Sequence, residues 1–352
     1  MQNKRGTIVI FSTAYLPLLG GAETAIRGIS DNIEDFRLIV LTSRFKKSLP
    51  VKEKIGNVMI YRLGLGNRFD KFFLPLTSFV KFIFIKKNLD KPILFWGMMA
   101  SYGSIGAWLL KFFYNKIPFL LTIQEGDSES HIKRSRFGLV NLFFRLLVKK
   151  ADRIQAISNY LKDFCIKMGA KVPIDVVPNG VDLKKFIPPS RMETRRPESK
   201  VIISVSRKAY KNALDTLEKA FLIVKIKHPE AELRMISDAL HQSVPILLWE
   251  ADVFVRPSRS EGLGTAFLEA MAAGLPIIGT PVGGIPDFLI DGETGLFAKV
   301  DDPSDLAQKI ELLFTDRALR EKLIKNGLKL VEEKYQWSKL ARDMEKIFTS
   351  LL

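Results

Sequence analysis

The chain has 352 residues, of which 47% are hydrophobic, so it is long enough for two domains with packed cores and too apolar for a disordered protein. Its single cysteine, Cys165, excludes an internal disulfide framework, and we expect a small buried thiol in a cytoplasmic protein. No stretch reaches the ~18 uninterrupted apolar residues that a membrane-spanning helix requires.

The net charge of +16 lies entirely in the first half of the chain. Residues 1–190 contain 30 lysines and arginines against 14 acidic residues, whereas residues 191–352 contain 24 of each. Two stretches of the first half, 70–91 and 132–150, place cations beside Phe, Leu and Ile. They are either segments that lie on an anionic membrane surface or core helices with charged outer faces, and both interpretations stay open. Nucleic acid is disfavoured as a partner because no recognised nucleic-acid-binding motif is present.

Strands alternate with helices along the first half, which predicts a doubly wound α/β domain. The opening apolar run leads into a glycine loop and lacks a cleavage-site pattern, so we interpret it as a first strand and not as a signal peptide. The near-continuous apolar character of several strands is typical of parallel strands buried on both faces. The predicted strands are Thr7–Phe11, Arg37–Thr42, Val58–Arg62, Ile93–Trp96, Phe119–Ile123, Arg153–Ile157 and Asp175–Val177.

Turn residues at 177–180 end this pattern, and the proline-containing stretch 186–198 is typical of an exposed connection. We therefore expect one domain over 1–180 and a second over 181–336. The strands predicted in the second half are Val201–Ser206, Glu232–Ile236, Asp252–Arg256, Pro276–Gly279 and Gly295–Ala298. Helices are predicted over Ser243–Glu250, after Asp302-Pro303, near Arg317 and from Trp337.

The most informative segment is 251–295, in which an apolar run is followed by a loop with Gly262 and Gly264 and by a helix over Thr265–Ala273. A strand, glycine loop and helix in this order hold a phosphate at the helix N-terminus, where free N–H groups and the helix dipole face the anion. Glu269 shares the face of the first helical residue, about 6 Å further along the axis. A carboxylate there suits ribose hydroxyls, so the segment predicts a nucleoside diphosphate site.

At these residues the chain resembles the retaining GT-B glycosyltransferases of family four, whose signature is two glutamates separated by seven residues in such a loop and helix. Here the two are Glu261 and Glu269, in SEGLGTAFLEAMAAGLP. The segments PLLGGAETA, ADRIQAISNYLKDF and VVPNGVDLKKF extend the resemblance over nearly the whole chain. It implies two Rossmann-like, doubly wound domains that face a cleft, with the helix over 337–352 crossing back to the first domain.

The resemblance implies a set of residues around the donor's phosphates. Arg207 and Lys211 would hold the pyrophosphate, and Gly264 and Thr265 would offer it backbone N–H groups. A departing nucleoside diphosphate gains negative charge as the glycosidic bond breaks, so these groups would stabilise the transition state more than the ground state.

Further residues are assigned by the same resemblance. Glu269 would bind ribose hydroxyls, and Glu261 would hold hydroxyls of the transferred sugar. Gly20 and Gly21 would let the backbone of the first domain approach the donor phosphate.

The chain departs from the family at Gln124, where a histidine commonly contacts the donor sugar. Glutamine can bond a sugar hydroxyl but cannot become cationic. The two acids that follow, Glu125 and Asp127, either face the acceptor or are solvated loop charges.

The family's chemistry needs a UDP- or GDP-linked sugar donor and no further cofactor, because the leaving phosphate oxygen can accept the acceptor's proton. We expect no metal site either, since Asp301-Asp302 suits helix capping better than metal binding.

A second departure lies at 237–251, where the family usually has an additional strand and helix that border the nucleobase. We expect this unit to be missing, with weak discrimination between uracil and guanine as the consequence. The expected function is transfer of a sugar from the nucleotide donor to a membrane-associated or polysaccharide acceptor by a peripheral enzyme of polysaccharide or glycolipid biosynthesis. A non-catalytic GT-B relative that binds nucleotide or a partner without turnover is the alternative, and a GT-B phosphorylase is a third candidate.

Overall fold

The computed structural model describes residues 4–18, 20–129, 132, 138–188, 200–237 and 242–352. The chain forms two compact units. The first contains Met1–Glu125, Glu129–Pro178 and Trp337–Leu352, and the second contains Gly126–Ser128 and Asn179–Gln336.

The described part of the first unit is a sheet flanked by helices. Its strands are β1 (Thr7–Phe11), β2 (Arg37–Ser43), β3 (Lys52–Ile55), β4 (Val58–Leu63), β5 (Ile93–Met98), β6 (Phe119–Ile123), β7 (Arg153–Ala156) and β8 (Ile174–Val176). Its helices before the second unit are α1 (Gly21–Ser30), α2 (Asp70–Ile85), α3 (Tyr102–Phe113), α4 (Leu139–Lys150) and α5 (Asn159–Lys167).

The strand order is β3-β4-β2-β1-β5-β6-β7-β8, and every neighbouring pair is parallel except β3 with β4. All seven predicted strands are confirmed, with ends shifted by no more than two residues. The sequence analysis missed β3, an edge strand in which Lys52 and Lys54 break any apolar run. Its Glu53 pairs with the buried Arg62 of β4, so a charge interaction takes the place of apolar contacts.

The second unit repeats the α/β pattern. Its strands are β9 (Val201–Val205), β10 (Glu232–Ile236), β11 (Val253–Val255), β12 (Ile277–Gly279) and β13 (Leu296–Phe297), and they form a parallel sheet in the order β10-β9-β11-β12-β13. Its described helices are α6 (Leu183–Phe186), α7 (Leu214–Lys227), α8 (Val244–Trp249), α9 (Thr265–Ala272), α10 (Pro303–Thr315) and α11 (Arg317–Lys334). The predicted doubly wound arrangement of both halves is therefore confirmed.

Two local predictions concern this unit, and the first is confirmed. Asp302 caps α10, since its Oδ1 accepts hydrogen bonds from the backbone N–H groups of Ser304 and Asp305. Between β10 and β11, the described residues form only α8, and Trp249 at its end donates from Nε1 to the carbonyl oxygen of Phe186 (2.7 Å). The absence of a family strand and helix here stays a prediction.

The last helix, α12 (Trp337–Leu351), packs in the first unit. Its indole at Trp337 lies so close to Gly28 of α1 that a Cβ on Gly28 would overlap the ring. Phe348 contacts Trp96 of β5 and Phe36, with ring centroids 5.1 and 6.1 Å apart. Full burial of a large apolar side chain contributes roughly 1.5–3 kcal/mol, so burial of this apolar face favours docking of the helix.

Among the residues described, none of the helices combines the length and the apolarity needed to cross a bilayer.

Candidate functional site

The loop that follows β11 ends in a glycine that starts α9. Gly264 has φ 94° and ψ 57°, and a Cβ there would come 2.8 Å from the ring of Phe267. Its carbonyl oxygen accepts from the N–H of Phe267 (2.9 Å), while no side chain caps the helix. The N-cap residue Gly264 thus offers no side chain to the backbone N–H groups of Thr265 and Ala266, which is the geometry of an anion site.

Glu261 is buried in this loop, with 8% of its surface exposed. Its Oε1 accepts from the N–H of Gly262 (3.1 Å), and its Oε2 lies 2.6 Å from Nη2 of Arg256. The backbone is fixed from the other side, since Gly284 N–H donates to the Glu261 carbonyl oxygen (3.2 Å). Gly283, with φ 57°, passes so close to that carbonyl that any Cβ would overlap it. The carboxylate therefore has a fixed position.

Arg256 links this loop to the loop after β9. Its Nη2 donates to Oδ1 of Asn212 (2.9 Å), whose Nδ2 donates to the carbonyl oxygen of Arg207 (2.6 Å). Among the described residues, Arg256 Nε is buried without a hydrogen-bond partner, whereas Glu261 Oε2 is held by the Arg256 guanidinium. The sequence analysis missed Arg256. Its position could have indicated a role, because it is a cation that follows a buried strand and precedes Glu261 by five residues.

Lys211 lies beside the Glu261 carboxylate. A Cβ built on Gly126 would be 3.1 Å from Lys211 Nζ and 3.5 Å from Glu261 Oε1, so those two atoms are at most 6.6 Å apart, the sum of the two distances. The ammonium is paired with Asp127 (2.9 Å), and Ser260 donates from Oγ to the Gly126 carbonyl oxygen (3.2 Å). Asp127 is therefore an exposed loop charge that pairs with the predicted phosphate ligand.

Arg259, also missed by the sequence analysis, holds the two loops together. It pairs with Asp215 and Asp301, each at 2.7 Å, and donates from Nη1 to the carbonyl oxygen of Tyr210. The hydrogen bond from Arg259 keeps the pKa of the Asp215 carboxyl below its usual value. The backbone carbonyl of Lys211 also accepts from the N–H of Arg259 (2.7 Å), so the position of the lysine is set by both loops.

The remaining predicted residues of the second unit lie on the same elements. Arg207 is exposed directly after β9, with no ion pair to any residue that the structure describes. Glu269 is buried on α9, four residues after Thr265 as predicted. The structure thus brings Lys211, Glu261 and the start of α9 together, and the assigned contacts with donor atoms stay predictions.

Three predicted residues belong to the first unit. Gly20 precedes α1 in an extended conformation, and a Cβ on Gly21 would meet no atom within 4 Å, so the backbone there is open to approach. Gln124 follows β6, and its N–H donates to Oε2 of Glu125 (2.9 Å). Glu125 is buried and also accepts from the N–H of Ala100 (2.6 Å), so its interpretation as a solvated loop charge is wrong.

Comparison with known protein families agrees with this arrangement. Residues 19–185 match the model of Glycosyltransferase Family 4, and residues 239–330 match that of Glycosyl transferases group 1. The first half therefore matches one glycosyltransferase family and most of the second half matches another. The chain is a glycosyltransferase with the GT-B fold.

Whole-chain relatives support the assignment. The capsular polysaccharide biosynthesis glycosyltransferase CapM of Staphylococcus aureus is 27% identical and aligns over 100% of this chain and 98% of its own length. Among solved structures, sucrose-phosphate synthase from Thermosynechococcus elongatus has a TM-score of 0.84 at 19% identity, covering 99% of both chains. The HepE protein of Anabaena in complex with UDP-glucose has a TM-score of 0.75 at 14% identity, covering 98% of this chain and 100% of that one. At these identities the solved structures establish the fold.

Proposed function

We propose that this glycosyltransferase moves a sugar from a nucleotide donor to a membrane-associated or polysaccharide acceptor, with retention of the anomeric configuration. The observation that carries the proposal is the placement of Lys211 within 6.6 Å of the fixed Glu261 carboxylate, beside a helix N-terminus without a capping side chain. A cation and free N–H groups suit a pyrophosphate, and a buried carboxylate next to them suits a sugar hydroxyl.

The pyrophosphate of the donor would bind at the start of α9. Gly264 and Thr265 would donate backbone N–H groups to it, and Lys211 and Arg207 would supply two positive charges. Because charge on the leaving phosphate grows as the glycosidic bond breaks, these fixed groups lower the barrier and not only the dissociation constant.

The sugar and the ribose would each meet a buried carboxylate. A sugar hydroxyl would donate to the Glu261 carboxylate, whose position the ion pair with Arg256 fixes. Glu269 would accept from the ribose hydroxyls. Gln124, Gly20 and Gly21 remain candidates for contacts made from the first unit.

The proposed mechanism uses the donor's own leaving oxygen as the base. That oxygen becomes more basic as the bond to the sugar breaks, and it can take the proton of the incoming acceptor hydroxyl on the same face of the sugar. Retention then follows without a protein nucleophile. No cofactor besides the UDP- or GDP-linked donor is included, since side-chain cations and the helix N-terminus supply the positive charge.

Two relatives indicate where to begin the substrate search. HepE was solved with UDP-glucose and CapM takes its name from capsular polysaccharide synthesis, so UDP-hexoses and polysaccharide or lipid-linked glycan acceptors are tested first. The test measures nucleoside diphosphate release from UDP- and GDP-sugars with and without acceptor. Donor-dependent release supports the proposal. Binding without release would indicate a scaffold without turnover, and dependence on inorganic phosphate would indicate a phosphorylase.

A further inference from the structure

Helix α2 has apolar residues on two opposite faces. One face packs into the first unit through Leu74, Ser78 and Phe82, all fully buried. The other face is exposed and holds Phe72, Phe73, Leu76, Val80, Ile83 and Phe84. At about 100° per residue, these six positions fall within an arc of about 120°. Phe73, Leu76 and Phe84 are 61%, 63% and 75% exposed, so the outer face is apolar over the whole helix.

The same surface continues onto α3. Phe79 of α2 stacks edge-on against Phe113, with ring centroids 5.3 Å apart, and Phe112 and Phe113 are themselves 56% and 72% exposed. The two helices pack closely, since a Cβ on Gly106 of α3 would overlap the Ser78 hydroxyl. The exposed residues of both helices therefore form one rigid surface, which we name the α2–α3 face.

This finding bears on the two interpretations of the basic, apolar stretch 70–91. Core helices with charged outer faces would expose charge opposite the core, whereas α2 exposes phenylalanine, leucine, isoleucine and valine there. The other stretch, 132–150, includes positions 133–137, which lie outside the described residues. Its α4 buries Phe144 and Leu147 and exposes Leu139 and Leu142.

Cations are frequent in and beside α2, and acids are rare there. Five positive side chains occur between residues 68 and 88, namely Arg68, Lys71, Lys81, Lys86 and Lys87. The single acid in that range, Asp70, is buried, and its carboxylate accepts from three backbone N–H groups, those of residues 65–67. On α4, Lys150 Nζ lies 4.6 Å from the centroid of the Phe112 ring. An apolar face with a cationic border is complementary to a bilayer with anionic headgroups.

We propose that the α2–α3 face inserts at the headgroup–acyl boundary of an anionic membrane, with α2 lying in the membrane plane and its bordering lysines on lipid phosphates. A helix of 16 residues, as α2 is, has a length of about 24 Å and presents its apolar stripe along all of it. The inference rests on the proposed function in one respect only: membrane binding would bring the enzyme to a membrane-borne acceptor. Its test requires no sugar transfer.

The test is cosedimentation with vesicles of phosphatidylcholine containing about one third phosphatidylglycerol, compared with phosphatidylcholine alone. The wild type should bind the anionic vesicles, and less so as salt rises. The variant Phe73→Ser/Leu76→Ser/Phe84→Ser removes exposed side chains, so its fold is kept while its partition coefficient should fall at least about tenfold. The control Leu222→Ser/Ile226→Ser alters two equally exposed residues of α7, which are 67% and 79% exposed, and should bind as the wild type does.

A second measurement locates the inserted surface. The Trp108 ring lies 4.8 Å from Phe112, so vesicles with brominated acyl chains should quench its fluorescence, and Trp108→Phe should remove the quenched fraction. Equal vesicle binding by the triple variant and the wild type would overturn the proposal. So would a stable dimer in lipid-free buffer that the triple variant abolishes, since a second copy would then cover the face.

The outcomes separate this inference from the proposed function. In vesicle-free buffer, the triple variant should release nucleoside diphosphate from the donor at the wild-type rate, because its substitutions lie outside the second unit. A wild type that binds vesicles but never releases the nucleotide would refute the proposed transfer and leave the membrane surface standing.

Discussion

Replacing Arg256 by methionine tests whether its ion pair with Glu261 holds the sugar-binding carboxylate in place. The two side chains are 2.6 Å apart and only 12% and 11% exposed. Removal of one partner from a buried pair costs about 3–5 kcal/mol, because the other charge is left without compensation. Glu261 keeps its bond from the Gly262 N–H, so we expect the lower end, about 3 kcal/mol of unfolding free energy.

Smaller changes should give graded losses. Arg256→Lys keeps a charge but gives up the second hydrogen bond, to Asn212, and should cost about 1 kcal/mol. The double variant Arg256→Met/Glu261→Gln leaves no unpaired charge and should be less destabilised than the sum of the two single variants.

The assay is urea unfolding followed by tryptophan fluorescence, combined with titration calorimetry against the best nucleotide sugar and its nucleoside diphosphate. If Glu261 is no longer held in position, binding of the nucleotide sugar should weaken more than binding of the nucleoside diphosphate, because only the nucleotide sugar carries the sugar. The reasoning would be refuted if Arg256→Met had the unfolding free energy of the wild type. It would also be refuted if the losses of unfolding free energy in the two single variants added up to the loss in the double variant.

Three further predictions concern single residues. Glu269→Ala should weaken nucleotide binding by roughly 1.5–3 kcal/mol, about ten- to a hundredfold by calorimetry, and equal affinities would place Glu269 outside the site. Asp127→Asn frees Lys211 from an exposed pair that is worth at most about 1 kcal/mol, so nucleotide affinity should rise up to about fivefold, and a weaker complex would give Asp127 a different role. Burial raises the pKa of the Cys165 thiol, so a disulfide reagent at pH 8 should modify it only in urea, and rapid labelling of the folded protein would contradict that environment.

The parts of the fold that the sequence predicts are those with a one-dimensional signal. Central strands such as β1 and β5 are buried on both faces, so they appear as uninterrupted apolar runs. Gly264 and Gly274 mark the ends of α9 because both take positive φ, which glycine adopts without strain. Strand β3 has no such signal, since it lies at the edge of the sheet with alternating lysines.

Much of the site could not be predicted, because it depends on side chains that meet in three dimensions. Asp127 and Lys211 are 84 positions apart, and nothing in either segment indicates that they pair. The Arg256–Asn212 bond likewise joins two separate loops. The outer face of α2 was ambiguous for a different reason. The helix is apolar all round, so its periodicity alone does not say which side packs against the sheet.

The most direct test of the account compares two lysines of one loop during turnover. Lys211 lies beside Glu261 at the start of α9, whereas Lys208 is exposed in the same loop. With UDP- or GDP-sugar donors, Lys211→Met should reduce the rate of nucleoside diphosphate release by roughly a hundredfold, the usual cost of one charge-stabilising group, while Lys208→Met should stay within about twofold of the wild type. Equal rates for the two variants, or no donor-dependent release by the wild type, would contradict sugar transfer at this site.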